Sequence, residues 1–391
     1  AQLSKLSTSN VAALTSAQVK ALSSDQLQSL SSAQINALDA ADVTAMGTDQ
    51  IAALSTAQIS KLSNANVEAL GTAQVAALSS SQVSALTTSQ LAVVSDAQFT
   101  AMGTSQLAGL TSGQFAALSE SQVQAMSTTE VAALSTAQVA TMGSGAVSLM
   151  SSAQIKALSS SQVTSLTSTQ LNALSEEQIQ ALDTADVAAL TTSQLPTLGT
   201  AQINAMDASD IGAMSTSQIA SLSTLQVNKL SNASLEALTT SQVAGMTTSQ
   251  VAALGSAQIA VLTPDQVGAL GTSQLQSLQS AQFAAMNEDQ ITAIGTDISA
   301  LTTAQVSTLS TAPLQLLSTG QIQALTSTQV KALGTDQLNA LTQDQLSALQ
   351  TADLVSLTTG QVRGLSSSQL QALGSSQIQA LADTQLQALS T

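Results

Sequence analysis

Three pairs of aspartates come closer to a chemical site than any other residues of this sequence. The two members of each pair stand three residues apart, at Asp39 and Asp42, Asp183 and Asp186, and Asp207 and Asp210. Paired carboxylates can bind Ca²⁺, which prefers oxygen ligands. Neither the EF-hand pattern nor the glycine-rich Ca²⁺-binding nonapeptide accompanies them. Because the same spacing suits two carboxylates that cap one helix start, we predict caps and no metal site.

The residue types that most catalytic sites need are missing. The chain has no Cys, His, Trp or Tyr. A hydrolase triad requires His or a substitute base, thiol catalysis requires Cys, and soft-metal sites require His or Cys. We therefore expect that the protein is not an enzyme and has no catalytic, cofactor-binding or metal-binding residues. The lack of Cys fits a reducing cytosol as well as a secreted protein that avoids thiols.

The charge balance restricts the partners. Seven Lys and Arg face 23 Asp and Glu, which gives a net charge of −16. Nucleic-acid phosphates and anionic membrane surfaces are bound by clustered cations, so we expect neither partner. No apolar run approaches the roughly 18 to 20 residues of a membrane span, and we expect no membrane insertion.

An eight-residue repeat organises the whole chain. With Leu6 as position 1 of an octad, position 1 returns every eight residues to Ile294 and then from Leu301 to Leu389, always as an apolar residue. Position 6 holds only Val, Ile, Leu or Phe, and position 8 is mostly Ala. One residue is missing between the two series, near 295–300. We predict a single uninterrupted array over 1–391 that is part of a longer protein.

Each octad carries a complete helix-start signal. Position 2 is mostly Ser, Thr, Gly, Asp or Asn, the residues preferred at helix N-caps, and Gln follows three residues later to close a capping box. Positions 1 and 6 are the two partners of a hydrophobic staple. All seven cations occupy positions 7 or 8, as the dipole of a helix ending there favours. A helix that starts every eight residues has only one to two turns.

Two continuous structures fit the spacing less well. Positions 1 and 6 would place eight residues in two turns of one long helix, whereas an α-helix has about 3.6 residues per turn. In an uninterrupted strand the same positions would face opposite sides. The predicted fold is therefore an all-α solenoid of very short helices, one for each repeat, with either two or three repeats in each coil.

Three prolines test the predicted helix starts. Pro264 falls at the first helical position, where its missing N–H costs nothing, and Pro313 falls in the first turn. Pro196 falls at the fifth position and removes one backbone hydrogen bond. We expect the helix around Pro196 to be tighter or frayed.

Several repeated side chains have more than one reading. The Gln at position 5 either closes the capping box, which we favour, or forms a ladder of stacked amides between coils. The nine Met residues all occupy position 1, so we interpret them as core rather than as a binding face.

Rows of Ser and Thr form a solvated surface, or bind ice or glycan. Similar segments such as KLSTSNVAAL (5–14) and KLSNANVEAL (61–70) stand 56 residues apart, which we interpret as duplication of seven repeats.

The octad Leu-Ser/Thr-x-x-Gln-Val-x-Ala resembles the octapeptide tracts of very large secreted bacterial surface and appendage proteins. The resemblance extends over essentially the whole chain. It implies an extracellular or cell-surface stalk, spacer or filament whose repeated surfaces self-associate, with flanking domains elsewhere in a longer chain. The alternative function is a repeat module that binds ice or glycan through its Ser/Thr rows.

Overall fold

The computed structural model describes residues 3–389, and the chain divides into two compact units after Leu198. Regular structure in the described part is entirely helical, with helices of three to six residues. The α-helices of the first unit, α1 to α23 in chain order, are Thr8–Ala12, Ser16–Lys20, Ser24–Gln28, Ser32–Ile35, Ala40–Ala45, Thr48–Ala52, Thr56–Ile59, Asn64–Glu68, Thr72–Ala76, Ser80–Ser84, Thr88–Leu91, Asp96–Thr100, Thr104–Ala108, Ser112–Phe115, Glu120–Gln124, Thr128–Ala132, Thr136–Thr141, Ser144–Ser148, Ser152–Lys156, Ser160–Ser165, Ser168–Ala173, Glu176–Gln180 and Thr184–Ala189.

The second unit continues the pattern. Its α-helices, α24 to α46, are Thr200–Ala205, Ala208–Ala213, Thr216–Ser221, Thr224–Asn228, Asn232–Glu236, Thr240–Gly245, Thr248–Ala253, Ser256–Val261, Pro264–Gly268, Thr272–Ser277, Ser280–Ala284, Glu288–Ala293, Thr303–Thr308, Thr311–Leu316, Thr319–Ala324, Ser327–Ala332, Thr335–Ala340, Gln343–Ala348, Thr351–Ser356, Thr359–Arg363, Ser367–Ala372, Ser375–Ala380 and Asp383–Ala388. The 3₁₀-helices are Leu3–Lys5, Leu195–Thr197 and Gly295–Ala300. The prediction of an all-α solenoid with one very short helix per repeat is confirmed.

The α-helices start at the octad position that the sequence predicts. Helix α7 follows Ser55, whose backbone is extended at φ −72° and ψ 158°. The Gln58 backbone N–H donates to Ser55 Oγ at 3.2 Å, and the Ser55 N–H donates to Gln58 Oε1 at 2.8 Å. The helix then closes with a short-range bond from the Leu62 N–H to the Ile59 carbonyl at 3.2 Å. Because both ends of the helix are satisfied locally, one turn suffices.

Within each unit, a helix stacks on the helix three places before it in the chain. In the first unit α5 packs on α2 and α20 packs on α17, while in the second unit α35 packs on α32 and α42 packs on α39. Three repeats therefore make one coil, which resolves the choice between two and three. Position 6 is buried in every repeat from Val11 to Val362, and position 1 is buried from Leu30 to Leu381 except at Leu118. The core of each unit is the stack of these two positions.

The irregular repeats keep this stacking. Pro264 is the first residue of α32 and Pro313 lies inside α37. Around Pro196 the chain forms the predicted tighter helix, the 3₁₀-helix Leu195–Thr197. At the one-residue deletion the 3₁₀-helix Gly295–Ala300 packs between α33 and α38, so the three-repeat coil continues through the shorter repeat.

Gly295 makes the short repeat possible. It has φ +60°, and no other described residue has a positive φ. Replacing Gly295 by alanine should lower the free energy of unfolding by roughly 1 to 2 kcal/mol, since the left-handed region is costly for residues with a Cβ. The matched control is Gly113→Ala in α14, where the added Cβ meets open space and no positive φ occurs. That change should be neutral or stabilising by up to about 1 kcal/mol. Chemical denaturation of both variants distinguishes the effects, and equal losses would contradict the role of Gly295.

Candidate functional site

Within each unit, a repeated set of hydrogen bonds links one coil to the coil before it. At Gln58 the side-chain oxygen accepts the N–H of Ser55, while the amide nitrogen Nε2 donates to the carbonyls of Leu27 at 3.0 Å and Leu30 at 2.8 Å. Gln58 is 2% exposed. One side chain therefore caps its own helix and also holds the end of a helix in the preceding coil. We call this arrangement a glutamine bridge.

The glutamine bridge recurs in both units. In most repeats the acceptor carbonyls lie 31 and 28 residues before the Gln, as at Gln90 and Gln162 in the first unit and Gln290 and Gln345 in the second. Just after the one-residue deletion, Gln305 reaches carbonyls 30 and 27 residues before it. The predicted capping box is confirmed. Bonds between coils also exist, but they reach main-chain carbonyls instead of stacking one amide on the next. The Gln side chain at position 5 therefore closes the capping box with its oxygen and links two coils with its nitrogen.

The use of Gln rather than Glu at position 5 is the sequence feature from which the glutamine bridge could have been predicted. A capping box accepts either residue, but only an amide can also donate to carbonyls. Glu130 shows the difference, because its carboxylate accepts the Ser127 N–H at 2.7 Å but has no hydrogen to donate as a carboxylate. The shorter amide of Asn66 still reaches the preceding coil and donates to the Leu38 carbonyl at 2.9 Å.

The aspartate pairs are reciprocal caps. Asp39 Oδ1 accepts the Asp42 N–H at 2.8 Å, and Asp42 Oδ2 accepts the Asp39 N–H at 3.3 Å. Asp183 with Asp186 and Asp207 with Asp210 repeat the geometry. In the first pair the remaining oxygen, Asp42 Oδ1, accepts the Ser16 hydroxyl of the preceding coil at 3.0 Å. Over residues 3–389 no group of three or more His, Cys, Asp or Glu residues is placed to hold a metal ion.

Asp186 has a perturbed acidity. It is 3% exposed, and burial raises its pKa above the ordinary value of 3.8, although a hydrogen bond from Ser160 Oγ to Asp186 Oδ1 at 2.8 Å works in the opposite direction. The nearby Asp183 carboxylate also raises the pKa. Asp186 stands at the octad position where most repeats have Gln. As a carboxylate, it has no hydrogen to donate to the preceding coil.

This pKa shift predicts that Asp186 weakens the first unit at neutral pH. Because the folded-state pKa is raised, the contribution of Asp186 to stability is fully present below its unfolded-state pKa and is lost as the pH rises through the folded-state pKa. Asp186→Asn should therefore be more stable than the parent at pH 7, and the difference should shrink as the pH falls towards 4. Thermal unfolding across this pH range measures the difference.

The converse substitution is the control. Gln162 occupies the same octad position three repeats before Asp186 and makes a glutamine bridge to Val131 and Leu134. Gln162→Asp should lower stability at neutral pH and produce a similar recovery in acid. A stability difference between Asp186→Asn and the parent that stays constant with pH would contradict the assignment.

The other sequence candidates serve the fold as well. All nine Met residues are buried at position 1, in agreement with their interpretation as core. Lys20, Lys156 and Arg363 are the last residues of their helices, where a cation is favourable. Many position-2 hydroxyls accept a helix N–H, as Ser135 does from Gln138 at 3.2 Å.

Stacked one-turn helices, local caps and recurring glutamine bridges define the class of this protein as an all-α repeat solenoid. A family model described as the ALTTAQ repeat matches residues 1–32, 23–56, 51–88, 59–96, 179–216, 187–224, 203–240, 227–264, 242–272, 322–351 and 346–383. These segments cover more than half of the chain, which belongs to the ALTTAQ repeat family. No curated protein matches the sequence. None of the helices in the described part is both long and apolar enough to cross a membrane.

Proposed function

We propose that this protein is a structural, non-catalytic component outside the cell: a stalk or filament-forming rod that self-associates. The observation that carries this proposal is the glutamine bridge, which repeats the same coil and the same surface every three octads within each unit. A repeated surface multiplies weak contacts, because each further contact forms at high effective concentration once the first is made.

The composition of the surface supports the same function. In the first unit the stacked helices α11, α14, α17 and α20 carry no charged side chain. Their outer positions hold small residues such as Thr88, Ser112 and Thr136, which are exposed or half-buried. Small side chains along a stack allow two copies to approach closely, and the negative net charge elsewhere limits non-specific association.

Electron microscopy of the purified 391-residue chain, combined with sedimentation velocity over a range of concentrations, tests the assembly. We expect elongated particles and a sedimentation coefficient that increases with concentration. Compact particles that remain monomeric at every concentration would overturn the structural proposal. Protease treatment of intact source cells tests the location, since a surface protein is degraded while cytosolic markers survive.

Binding of ice or glycan through hydroxyl rows is the second candidate function. The row Thr88, Ser112 and Thr136 in the stacked helices α11, α14 and α17 favours it, because these hydroxyls lie outside the capping positions. Most position-2 hydroxyls, by contrast, are engaged by helix N–H groups. Thermal hysteresis, or binding on a glycan array that Thr88→Ala and Thr136→Ala reduce, would support this candidate. The absence of both signals would remove it.

A further inference from the structure

One stretch of the first unit lacks two of three successive glutamine bridges. Position 5 is Glu130 in α16 and Ala146 in α18. A carboxylate and a methyl group have no hydrogen to donate to the carbonyls of the preceding coil. Between them, Gln138 in α17 donates to the carbonyls of Leu107 at 3.1 Å and Leu110 at 2.8 Å. The regular coils before this stretch have three bridges in succession, at Gln90, Gln98 and Gln106.

The second unit lacks the bridge at the equivalent octads. Asp297 precedes position 6 in the 3₁₀-helix Gly295–Ala300, and Pro313 is the third residue of α37. Between them, Gln305 bridges to Leu275 at 2.7 Å and to Leu278 at 2.9 Å. This pair stands 167 residues after the pair in the first unit, which is 21 octads less the deleted residue. The same two octads have therefore lost the donating amide in both units, through different residues.

Other octads without Gln differ from these two pairs. Asp42, Asp186 and Asp353 each accept a serine hydroxyl of the preceding coil, at 3.0, 2.8 and 2.8 Å. The hydroxyl of Ser234 bonds within its own octad, but the bridge two octads later, at Gln250, is intact. Only a single link is therefore changed or lost at each of these places.

All three Phe residues of the chain lie at octads whose carbonyls have lost the bridge. At the spacing of regular bridges, an amide at 130 would reach the Phe99 carbonyl and one at 146 would reach the Phe115 carbonyl. Across the deletion, an amide at 313 would reach the carbonyl of Phe283. Each of the three phenyl rings is 1% exposed. Since Phe buries more apolar surface than Val or Leu, packing replaces part of the lost hydrogen bonding.

The missing bridges also leave groups of the first unit open. Within residues 3–389 the carbonyls of Met102 and Leu118 accept no hydrogen bond, whereas the equivalent carbonyl of Leu110 accepts the Gln138 amide. Leu118 is half-buried, although position 1 is otherwise buried from Leu30 to Leu381. We call each stretch an aromatic joint: Phe99, Phe115, Glu130 and Ala146 define the first, and Phe283, Asp297 and Pro313 define the second.

We propose that each unit bends at its aromatic joint. Hydrogen bonds weaken steeply when their angle changes, so three bridges in succession hold two coils in one orientation. Apolar contact is non-directional, and buried rings can rotate against their neighbours without returning to water. Coils at an aromatic joint therefore change their mutual angle more readily, while the single remaining bridge keeps them attached. This inference goes beyond the proposed function, because it concerns a property of the single chain.

Distance measurements between spin labels test the joint of the first unit. The chain has no Cys, so two introduced cysteines can carry nitroxide labels. Ser105→Cys with Ala153→Cys spans the joint, and Ala57→Cys with Ser105→Cys spans regular coils. All three residues are exposed at position 4 of stacked helices, and both pairs are 48 residues apart. Pulsed electron paramagnetic resonance should give a broader distance distribution for the pair across the joint.

Repairing the joint should remove its flexibility. Glu130→Gln combined with Ala146→Gln supplies two amides at the bridge spacing. The distribution between labels at 105 and 153 should then narrow to that of the regular pair. Hydrogen exchange in α16 and α18 should slow roughly tenfold, since two carbonyls gain a donor at each octad.

Transferring the joint to regular coils is the converse test. Gln90→Glu combined with Gln106→Ala reproduces the residues of the joint at two octads with the same separation. The N-caps also match, because Gly103 precedes Gln106 as Gly143 precedes Ala146. The distribution between labels at 57 and 105 should broaden in this variant. Far-UV circular dichroism verifies that each variant is folded, and the transferred joint decides the question if the repaired chain does not fold.

Three results would overturn the inference. The first is an equal width of the two distributions in the parent chain. The second is a folded repaired variant in which the distribution across the joint stays as broad as in the parent. The third is a transferred joint that leaves the regular pair as narrow as before, because the missing bridges would then not be the cause of bending.

Discussion

Replacing Gln250 by glutamate is expected to lower the local free energy of unfolding by about 3 kcal/mol at neutral pH. Gln250 is 1% exposed, and its amide nitrogen donates to the carbonyls of Ile219 at 2.8 Å and Leu222 at 2.7 Å. Glutamate preserves the bond from the Thr247 N–H. It loses the donor, however, and places a buried negative charge against two carbonyl oxygens. Hydrogen exchange of α30 and its neighbours measures the local loss.

The first coil supplies the control for this prediction. Gln26→Glu is the same substitution at the same octad position, but the Gln26 amide donates to no other described residue. This change should alter stability by no more than about 0.5 kcal/mol, since the glutamate still closes the box with Ser23. If both substitutions cost the same, the bridge between coils adds nothing beyond the capping box.

Replacing Phe115 by alanine should lower stability by about 3 to 5 kcal/mol. Phe115 occupies position 6 of its octad and is 1% exposed. It lies in α14, which packs between α11 and α17. Truncation removes apolar contacts and leaves a cavity that two neighbouring coils share. Because each coil contacts only its neighbours, we expect exchange of backbone amides to accelerate most in these three helices and less in distant ones.

Two variants calibrate the Phe115 result. Phe115→Leu introduces the side chain that many other repeats have at position 6, and it should cost about 1 kcal/mol. Leu149→Ala removes a side chain that is 44% exposed, and it should cost less than about 1 kcal/mol. Urea denaturation followed by circular dichroism ranks the three variants. A loss at Leu149 equal to that at Phe115 would contradict the assignment of position 6 as core.

The start of each helix could be predicted because its cause is local. Ser55 and Gln58 are three residues apart, and their bonds require nothing beyond one turn of chain. The same reasoning placed Pro264 at a first helical position and predicted the tighter turn at Pro196. Alternation of positions 1 and 6 likewise identified the core, because apolar burial depends on residue type at each position.

The number of repeats in each coil could not be predicted, because it depends on contacts between residues far apart in sequence. Gln58 selects carbonyls 31 and 28 residues earlier, and this choice follows from how far each one-turn helix rotates the chain. No residue type records that rotation. The bridge itself could have been inferred at residues such as Gln58, because the strict use of Gln where Glu would also cap indicates that the amide hydrogens are needed.

Of the predicted function, only the repeat-protein class is shown. The paired aspartates, the strongest candidates for a chemical site in the sequence, cap helix starts. The single array over 1–391, the flanking domains, the extracellular location and the lack of nucleic-acid partners all remain predictions. Asp186 illustrates why titration behaviour had to await the structure, because its raised pKa arises from burial and from its contacts with Ser160 and Asp183.

A coil of three repeats has a consequence for how such a gene can change in length. Seven repeats, the interval between the similar segments at 5–14 and 61–70, are two coils and one further repeat. Each copied block of this size therefore begins one helix stack further round the axis. Recombination can then insert or remove whole octads without mismatching the interior. Because successive seven-repeat blocks begin on successive stacks, a surface residue copied with the block is distributed evenly among the three stacks.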